Sequence, residues 1–145
     1  MIRDERITQA MLKQHSVINQ FLLDFEKISD QDSVRLTRKF NEFSWLLSKH
    51  LFIEEENIFP VSDKNNKLEL KQLQTLLNEH KDIRKIIENL DEEITFGRKP
   101  NTAILRELLF AHEEREISGF YPLLDSRLSE KQKKDIFDKL KDIKF

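Results

Sequence analysis

Four stretches of the chain repeat apolar residues at intervals of three and four, and this spacing restricts the fold more than any other feature. The stretches cover residues 7–25, 36–54, 73–94 and 105–116. Residues with this spacing lie on one face of an α-helix. The chain has only two glycines and three prolines among its 145 residues, so it lacks the frequent tight turns of a β-rich domain. The pattern therefore predicts an all-α fold.

Short polar segments separate the four predicted helices, and a further short helix is predicted at about residues 129–142. Long helices with short connections favour an up-and-down antiparallel four-helix bundle. We place this bundle at about residues 4–122, with the short helix as an additional C-terminal element. A chain of this length suits one folding unit, so residues 1–145 are expected to form a single domain.

Capping residues and helix breakers indicate where some of these helices begin and end. Asn66 followed by Glu69 predicts a capping box at the start of the third helix, and Ser129 followed by Gln132 predicts one for the C-terminal helix. Gly119 lies just after the fourth apolar stretch, where we expect that helix to break.

The composition excludes several classes of protein. A formal net charge of −2 argues against a dedicated nucleic-acid binder. The lack of cysteine rules out disulfides, thiolate catalysis and cysteine-based zinc or iron–sulfur sites. No apolar run reaches the roughly 20 residues of a membrane span, and the charged N-terminus does not resemble a signal peptide. We therefore expect a cytoplasmic protein that has neither nucleic acid nor membrane as a partner.

The four histidines occupy equivalent positions, one in each apolar stretch and each three residues after a leucine. They are His15, His50, His80 and His112. Glutamate follows two of them by four residues, as Glu54 and Glu116, which places it on the same helix face. Proline follows the same two histidines by ten residues, as Pro60 and Pro122. The sequence thus indicates a duplicated helix pair and an interior site with four imidazoles and two carboxylates.

Such a site is expected to bind metal. Unpaired buried polar groups cost on the order of 1–3 kcal/mol each, so six of them at one level of a bundle need a ligand. Imidazoles and carboxylates without thiolate suit iron, manganese, zinc or copper rather than magnesium or calcium. Six ligands exceed the four of a structural zinc site. They suit two ions, each held by two imidazoles and sharing two bridging carboxylates, with water, hydroxide or an oxo bridge completing the coordination. A pair of iron ions is the natural occupant.

The ligands occur in the order His, His-x-x-x-Glu, His, His-x-x-x-Glu, and this order resembles the hemerythrin-like family, also called the HHE cation-binding domain. The segments HLFIEEENIFP and LLNEHKDIRKIIENL are similar to signatures of that family, and the similarity covers roughly residues 5–125. The resemblance implies a four-helix bundle with a non-haem di-iron centre. It also implies the ligand set, with His15, His50, His80 and His112 as terminal ligands and Glu54 and Glu116 as bridges.

One position departs from the oxygen-carrying members of that family, which have a second histidine four residues from the first on the third helix. No histidine lies four residues before or after His80. Water or a neighbouring carboxylate is left to complete the coordination. The candidate carboxylates are Glu55, Glu79 and Glu113. Each lies about 100° around the helix from its apolar stripe, so a solvated helix face is the simpler expectation.

Arg84 is expected to pair either with a carboxylate near the site or with one at the surface. Tyr121 is expected to pack in the core or at its rim, and a supporting role beside the metal ligands is the alternative, since it lies five residues after Glu116.

The leading interpretation is a di-iron binding protein that takes dioxygen or a related small ligand, for binding or for sensing of oxygen or iron. The alternative is an enzyme-like protein that handles peroxide or nitric oxide, or that donates iron for repair. Turnover of this kind needs an electron source, and the sequence has neither a cysteine pair nor a flavin motif. Binding is therefore favoured over enzymatic activity. A third interpretation is a structural or regulatory bundle that metal stabilises. The sequence carries no signal for the oligomeric state.

Overall fold

The computed structural model describes residues 6–141, and this part of the chain is helical without any strand, as predicted. Its α-helices are α1 (Ile7–Glu26), α2 (Ser33–Ile53), α3 (Lys67–Thr95), α4 (Ala103–Arg115), α5 (Tyr121–Arg127) and α6 (Glu130–Lys141). Two π-helical segments, Glu54–Ile58 and Glu116–Phe120, follow α2 and α4, and a 3-10 turn, Phe59–Val61, follows the first of them. No helix in this range combines the length and the apolar character that crossing a membrane requires.

Local capping residues begin α3 and α6. Asn66 Oδ1 accepts the backbone N–H of Glu69 at 3.2 Å, but the Glu69 carboxylate accepts the N–H of Asp63 at 2.6 Å instead of that of Asn66. The predicted capping box at α3 is therefore only half formed. At α6 the box is complete, because Ser129 and Gln132 each accept the backbone N–H of the other through their side chains.

The expected helix break at Gly119 is wrong. Gly119 lies inside the second π-helical segment, and the helical path continues through Pro122 to the end of α5 at Arg127. Proline is compatible with this path because Pro122 lies in the first turn of α5, where a backbone N–H has no partner within that helix.

Helices that follow one another in the chain pack against one another. α1 contacts α2, α2 contacts α3, and α3 contacts α4. α5, which continues α4 beyond the π-helical segment, contacts α1, and α6 contacts the π-helical segment after α2.

The interior consists of two apolar cores, and each histidine lies between them along its helix. Core 1 includes Ile18, Leu47, Ile83 and Leu109. Core 2 includes Met11, Ile53, Leu76 and Phe120. In α1 and α3 the chain runs from core 2 past the histidine to core 1, whereas along α2 and α4 it runs from core 1 to core 2. The four histidines therefore form a polar layer between two dry regions.

Candidate metal centre

All six predicted ligands are buried and converge in this polar layer. The two glutamates are 0% exposed, and none of the histidines exceeds 3%. The side chains form two groups in which the ligand atoms lie within 4.8 Å of one another. One group, called here the His80–His112 group, contains Glu54, His80, His112 and Glu116. The other, called the His15–His50 group, contains His15, His50 and Glu116.

Glu54 lies between imidazoles of both groups. Its Oε1 atom is 3.0 Å from Nε2 of His50 and 3.4 Å from Nε2 of His80. The i, i+4 spacing on one helix brings His50 to Glu54, and packing of α2 against α3 brings His80 to the same oxygen. The carboxylate is therefore positioned to serve both groups.

Glu116 also faces both groups, through different oxygens. Oε1 lies 3.2 Å from Nε2 of His15, and Oε2 lies 3.4 Å from Nε2 of His112. Tyr121, which is fully buried, donates its hydroxyl to Oε2 at 2.8 Å. Tyr121 packs in core 2, as expected, and its hydroxyl also supports a proposed metal ligand, which is the alternative role left open for it.

Both glutamates are the first residues of π-helical segments, Glu54–Ile58 and Glu116–Phe120. A π-helical turn is wider than an α-helical turn, and such segments are rare and frequent at functional sites. The repeated proline ten residues after His50 and His112 is the only sequence signal for this duplicated distortion, and it does not specify the type of helix.

Three of the histidines are fixed through the Nδ1 atom, which faces away from Glu54 and Glu116. The pairs are His80 with Glu55 at 2.6 Å, His112 with Glu79 at 3.1 Å, and His50 with Gln14 at 2.7 Å. A carboxylate or amide oxygen only accepts, so Nδ1 carries a proton in each case, and Nε2 is the nitrogen that can bind a metal once it is deprotonated. This is the tautomer that a metal ligand needs.

Arginines bind Glu55 and Glu79, the two carboxylates that accept hydrogen bonds from these Nδ1 atoms. Arg84 binds Glu55 with two hydrogen bonds, at 2.7 and 3.2 Å, and Arg115 donates its Nε to Glu79 at 2.7 Å. The expectation of a solvated face is wrong for Glu79, which is 7% exposed, while Glu55 is partly buried. The pairing of Arg84 with a carboxylate near the site is confirmed. Glu113 lies apart from this arrangement and accepts a hydrogen bond from Asn19 at 3.1 Å.

His15 is held differently, because neither of its ring nitrogens makes a hydrogen bond within the described residues. Packing positions the ring instead, at centroid distances of 4.9 Å from the ring of His50 and 6.5 Å from that of Tyr121. A cavity of about 470 Å³ between α1 and α4 is lined in part by His15, Asn19 and Phe110.

The buried charges perturb one another strongly. Burial and the charge of Glu54 raise the pKa of Glu116 well above its usual range. Burial opposes ionisation of Glu54, but the charge of His50 lowers its pKa well below the usual range. Burial disfavours the charged form of His112, but the charge of Glu116 and the hydrogen bond to Glu79 raise its pKa to about 12.

The buried nitrogen and oxygen atoms that lack hydrogen-bond partners test whether a metal fits the site. Among residues 6–141, the buried atoms that lack a hydrogen-bond partner include Nε2 of His15, His80 and His112, both carboxylate oxygens of Glu54, and Oε1 of Glu116. Buried polar atoms are nearly always paired, so such a cluster needs an explanation. Imidazole nitrogens and carboxylate oxygens suit iron, manganese, zinc or copper. The arrangement therefore fits bound metal.

Comparison with known proteins agrees with this arrangement. No curated protein and no solved structure matches the chain. A family model, that of the hemerythrin HHE cation-binding domain, matches residues 6–124, which include all six buried ligand candidates and leave α6 outside. The chain therefore belongs to the hemerythrin HHE cation-binding domain family.

Proposed function

We propose that the chain is a non-haem di-iron protein that binds dioxygen or a related small ligand. The metal ligands are His15, His50, His80, His112, Glu54 and Glu116. The observation that carries the proposal is the cluster of buried nitrogen and oxygen atoms without hydrogen-bond partners, arranged around two shared carboxylates. His15 and His50 hold one ion, His80 and His112 hold the other, and both glutamates bridge.

The scaffold that we propose for this centre is an up-and-down antiparallel four-helix bundle. Support comes from the order in which the helices meet the two cores, since the direction from one core to the other alternates from α1 to α4. Each helix also packs against the next one in the chain, as short connections require. This alternation places all four histidines at one level.

The surroundings of the centre favour reversible binding of a small ligand. When bound, a pair of ferrous ions supplies the electrons that dioxygen or a related ligand accepts. The chain itself keeps bulk water away through cores 1 and 2, fixes the Nε2 lone pairs, and orients Glu116 through the Tyr121 hydroxyl. The cavity beside His15 offers a small molecule a path between α1 and α4.

Iron content and the visible spectrum test the proposal together. The protein reconstituted with ferrous iron without oxygen is expected to hold about two iron ions per chain. Its visible absorption should change when oxygen is added and return when oxygen is removed. Irreversible oxidation, with no return of the ferrous spectrum, would contradict reversible binding and favour the enzyme-like alternative.

A double substitution tests the bridges. Glu54→Gln with Glu116→Gln is expected to lose both iron ions, because each ion would lose its anionic ligands. The matched control is Glu56→Gln, an exposed position in the same π-helical segment as Glu54, which should keep the full iron content. Loss of only half of the iron from the double variant would overturn the bridging arrangement.

A further inference from the structure

We propose that the two metal positions are unequal and fill in a fixed order. The His80–His112 group binds its ion first and more tightly, and the His15–His50 group binds second and releases its ion first. Glu55 and Glu79 are the positioning residues that create the difference. This inference rests on the metal centre proposed above and adds the order of loading.

The two imidazoles of the His80–His112 group are both backed by carboxylates. Nδ1 of His80 donates to Glu55 at 2.6 Å, and Nδ1 of His112 donates to Glu79 at 3.1 Å. A carboxylate on the far nitrogen makes an imidazole more basic and fixes its orientation, which strengthens its bond to a metal. Both effects act on the same ion, because the two histidines belong to one group.

Arginines keep these carboxylates in place before any ion arrives. Arg84 donates hydrogen bonds to Glu55 from two guanidinium nitrogens, and Arg115 binds Glu79 through Nε and Nη2. The planar guanidinium fork suits such bidentate contacts. The imidazoles of this group are therefore ordered in advance, and metal binding loses little side-chain freedom.

The His15–His50 group lacks this support. His50 donates Nδ1 to Gln14 at 2.7 Å, and the amide oxygen of Gln14 is neutral and so polarises the imidazole less than a carboxylate does. Neither ring nitrogen of His15 makes a hydrogen bond within the described residues, so its tautomer is not fixed. The cavity beside His15 also brings exchangeable ligands close to this group.

Stepwise addition of Zn²⁺ to the metal-free protein, followed by NMR of the histidine rings, tests the order. The first equivalent is expected to shift the ring signals of His80 and His112, and the second equivalent those of His15 and His50. The two dissociation constants should differ at least tenfold. Simultaneous shifts of all four rings, or earlier shifts of His15 and His50, would overturn the proposed order while leaving the metal centre intact. The lack of any ring shift at two equivalents would instead contradict the metal centre itself.

Substitution of Glu55 and Glu79 tests whether these carboxylates cause the difference in affinity between the two metal positions. Glu55→Gln and Glu79→Gln are each expected to weaken the first Zn²⁺ step about 10-fold to 100-fold and to leave the second nearly unchanged. Glu55 is partly exposed, so Glu55→Gln remains informative if loss of the buried Glu79 carboxylate impairs folding. Circular dichroism checks that each variant is folded.

Introducing a carboxylate beside the weaker position should increase its affinity for the metal, and a purely structural role cannot produce such an increase. Gln14→Glu places a carboxylate on Nδ1 of His50 and is expected to tighten the second step about 10-fold, with the first step unchanged. Glu56→Gln, which alters an exposed carboxylate of the same π-helical segment, is the control and should change neither step. If the glutamine variants weaken both steps equally, or if Gln14→Glu leaves the second step unchanged, Glu55 and Glu79 do not create the difference.

Discussion

At the scale of single residues, Tyr121 ties the polar layer to core 2. Its hydroxyl donates to Glu116 Oε2 at 2.8 Å, and its ring lies 6.0 Å from that of Phe120 and 6.5 Å from that of His15. The side chain is fully buried, so water cannot replace the hydroxyl if it is removed. One hydrogen bond therefore sets the direction of a carboxylate that faces both imidazole groups.

Removal of the Tyr121 hydroxyl should lower the stability of the protein by a measurable amount. Tyr121→Phe is expected to lower the free energy of unfolding of the metal-free protein by about 1–2 kcal/mol, because a buried oxygen of Glu116 loses its donor. Urea denaturation measures the change. Ser126→Ala is the control, since it removes an exposed hydroxyl from the same helix, α5, and should change stability by less than about 0.5 kcal/mol. Equal effects of the two substitutions would show that the Tyr121–Glu116 contact contributes nothing specific.

At the scale of secondary-structure elements, α1 begins without a local cap. Arg6, the residue at the N-cap position, makes no side-chain capping bond. Asp125 of α5 takes over this role, accepting the backbone N–H groups of Ile7 at 2.8 Å and Thr8 at 3.1 Å as well as the Thr8 hydroxyl at 2.6 Å. A carboxylate at a helix N-terminus also interacts favourably with the helix dipole. α5 therefore fixes the start of α1 across more than a hundred residues of sequence.

Loss of this long-range cap should loosen one helix end. Asp125→Ala is expected to lower the free energy of unfolding by about 1–2 kcal/mol, the range found for N-cap substitutions. Hydrogen exchange should accelerate most at the amides of Ile7 and Thr8, because these lose their acceptor. Asp138→Ala, at an exposed position of α6, serves as the control. Uniform acceleration throughout the molecule, without a preference for the start of α1, would contradict the capping role.

The elements differ in how far sequence could predict them. The caps at Asn66 and Ser129 were predictable because donor and acceptor lie within three residues of each other. The cap that Asp125 provides was not, because it depends on how α5 packs against α1. The helix through Gly119 was also missed, since the wider π-helical turn there reflects packing around Glu116 rather than local propensity. Periodicity reports the buried face of a helix but not the width of a turn.

At the scale of the whole molecule, the proposed ligands could be predicted from the sequence, whereas the residues that surround and support them depend on how the helices pack. The six proposed ligands were predictable because they lie in apolar stripes, where a polar residue requires a reason. The division into a His15–His50 and a His80–His112 group requires knowledge of which helices pack together. Glu79 was named as a candidate carboxylate, but its burial was not predicted, because it lies about 100° from its stripe and contacts with His112 and Arg115 of a neighbouring helix bury it.

The burial of Glu79 makes global stability depend on pH in a defined direction. Burial alone would raise the pKa of Glu79, but hydrogen bonds from His112 and Arg115 outweigh it and lower the pKa from 4.5 to about 2. Between these values the unfolded chain binds more protons at this position than the folded chain does. The stabilisation from Glu79 is therefore fully present above pH 4.5 and disappears as the pH falls towards 2.

A comparison of pH profiles isolates this contribution, because the other titrating groups are common to both proteins. Urea denaturation of the metal-free wild type and of Glu79→Gln, in the presence of a chelator, should show the wild type more stable at pH 5. The difference should shrink steadily below pH 4.5 and be nearly lost only at about pH 2, because protonated Glu79 no longer binds Arg115 as an anion. Glu114→Gln, at an exposed position one residue before Arg115, should follow the wild type throughout. A constant difference between wild type and Glu79→Gln across this range would mean that Glu79 stabilises the fold through packing alone, without the charge that connects His112 to Arg115.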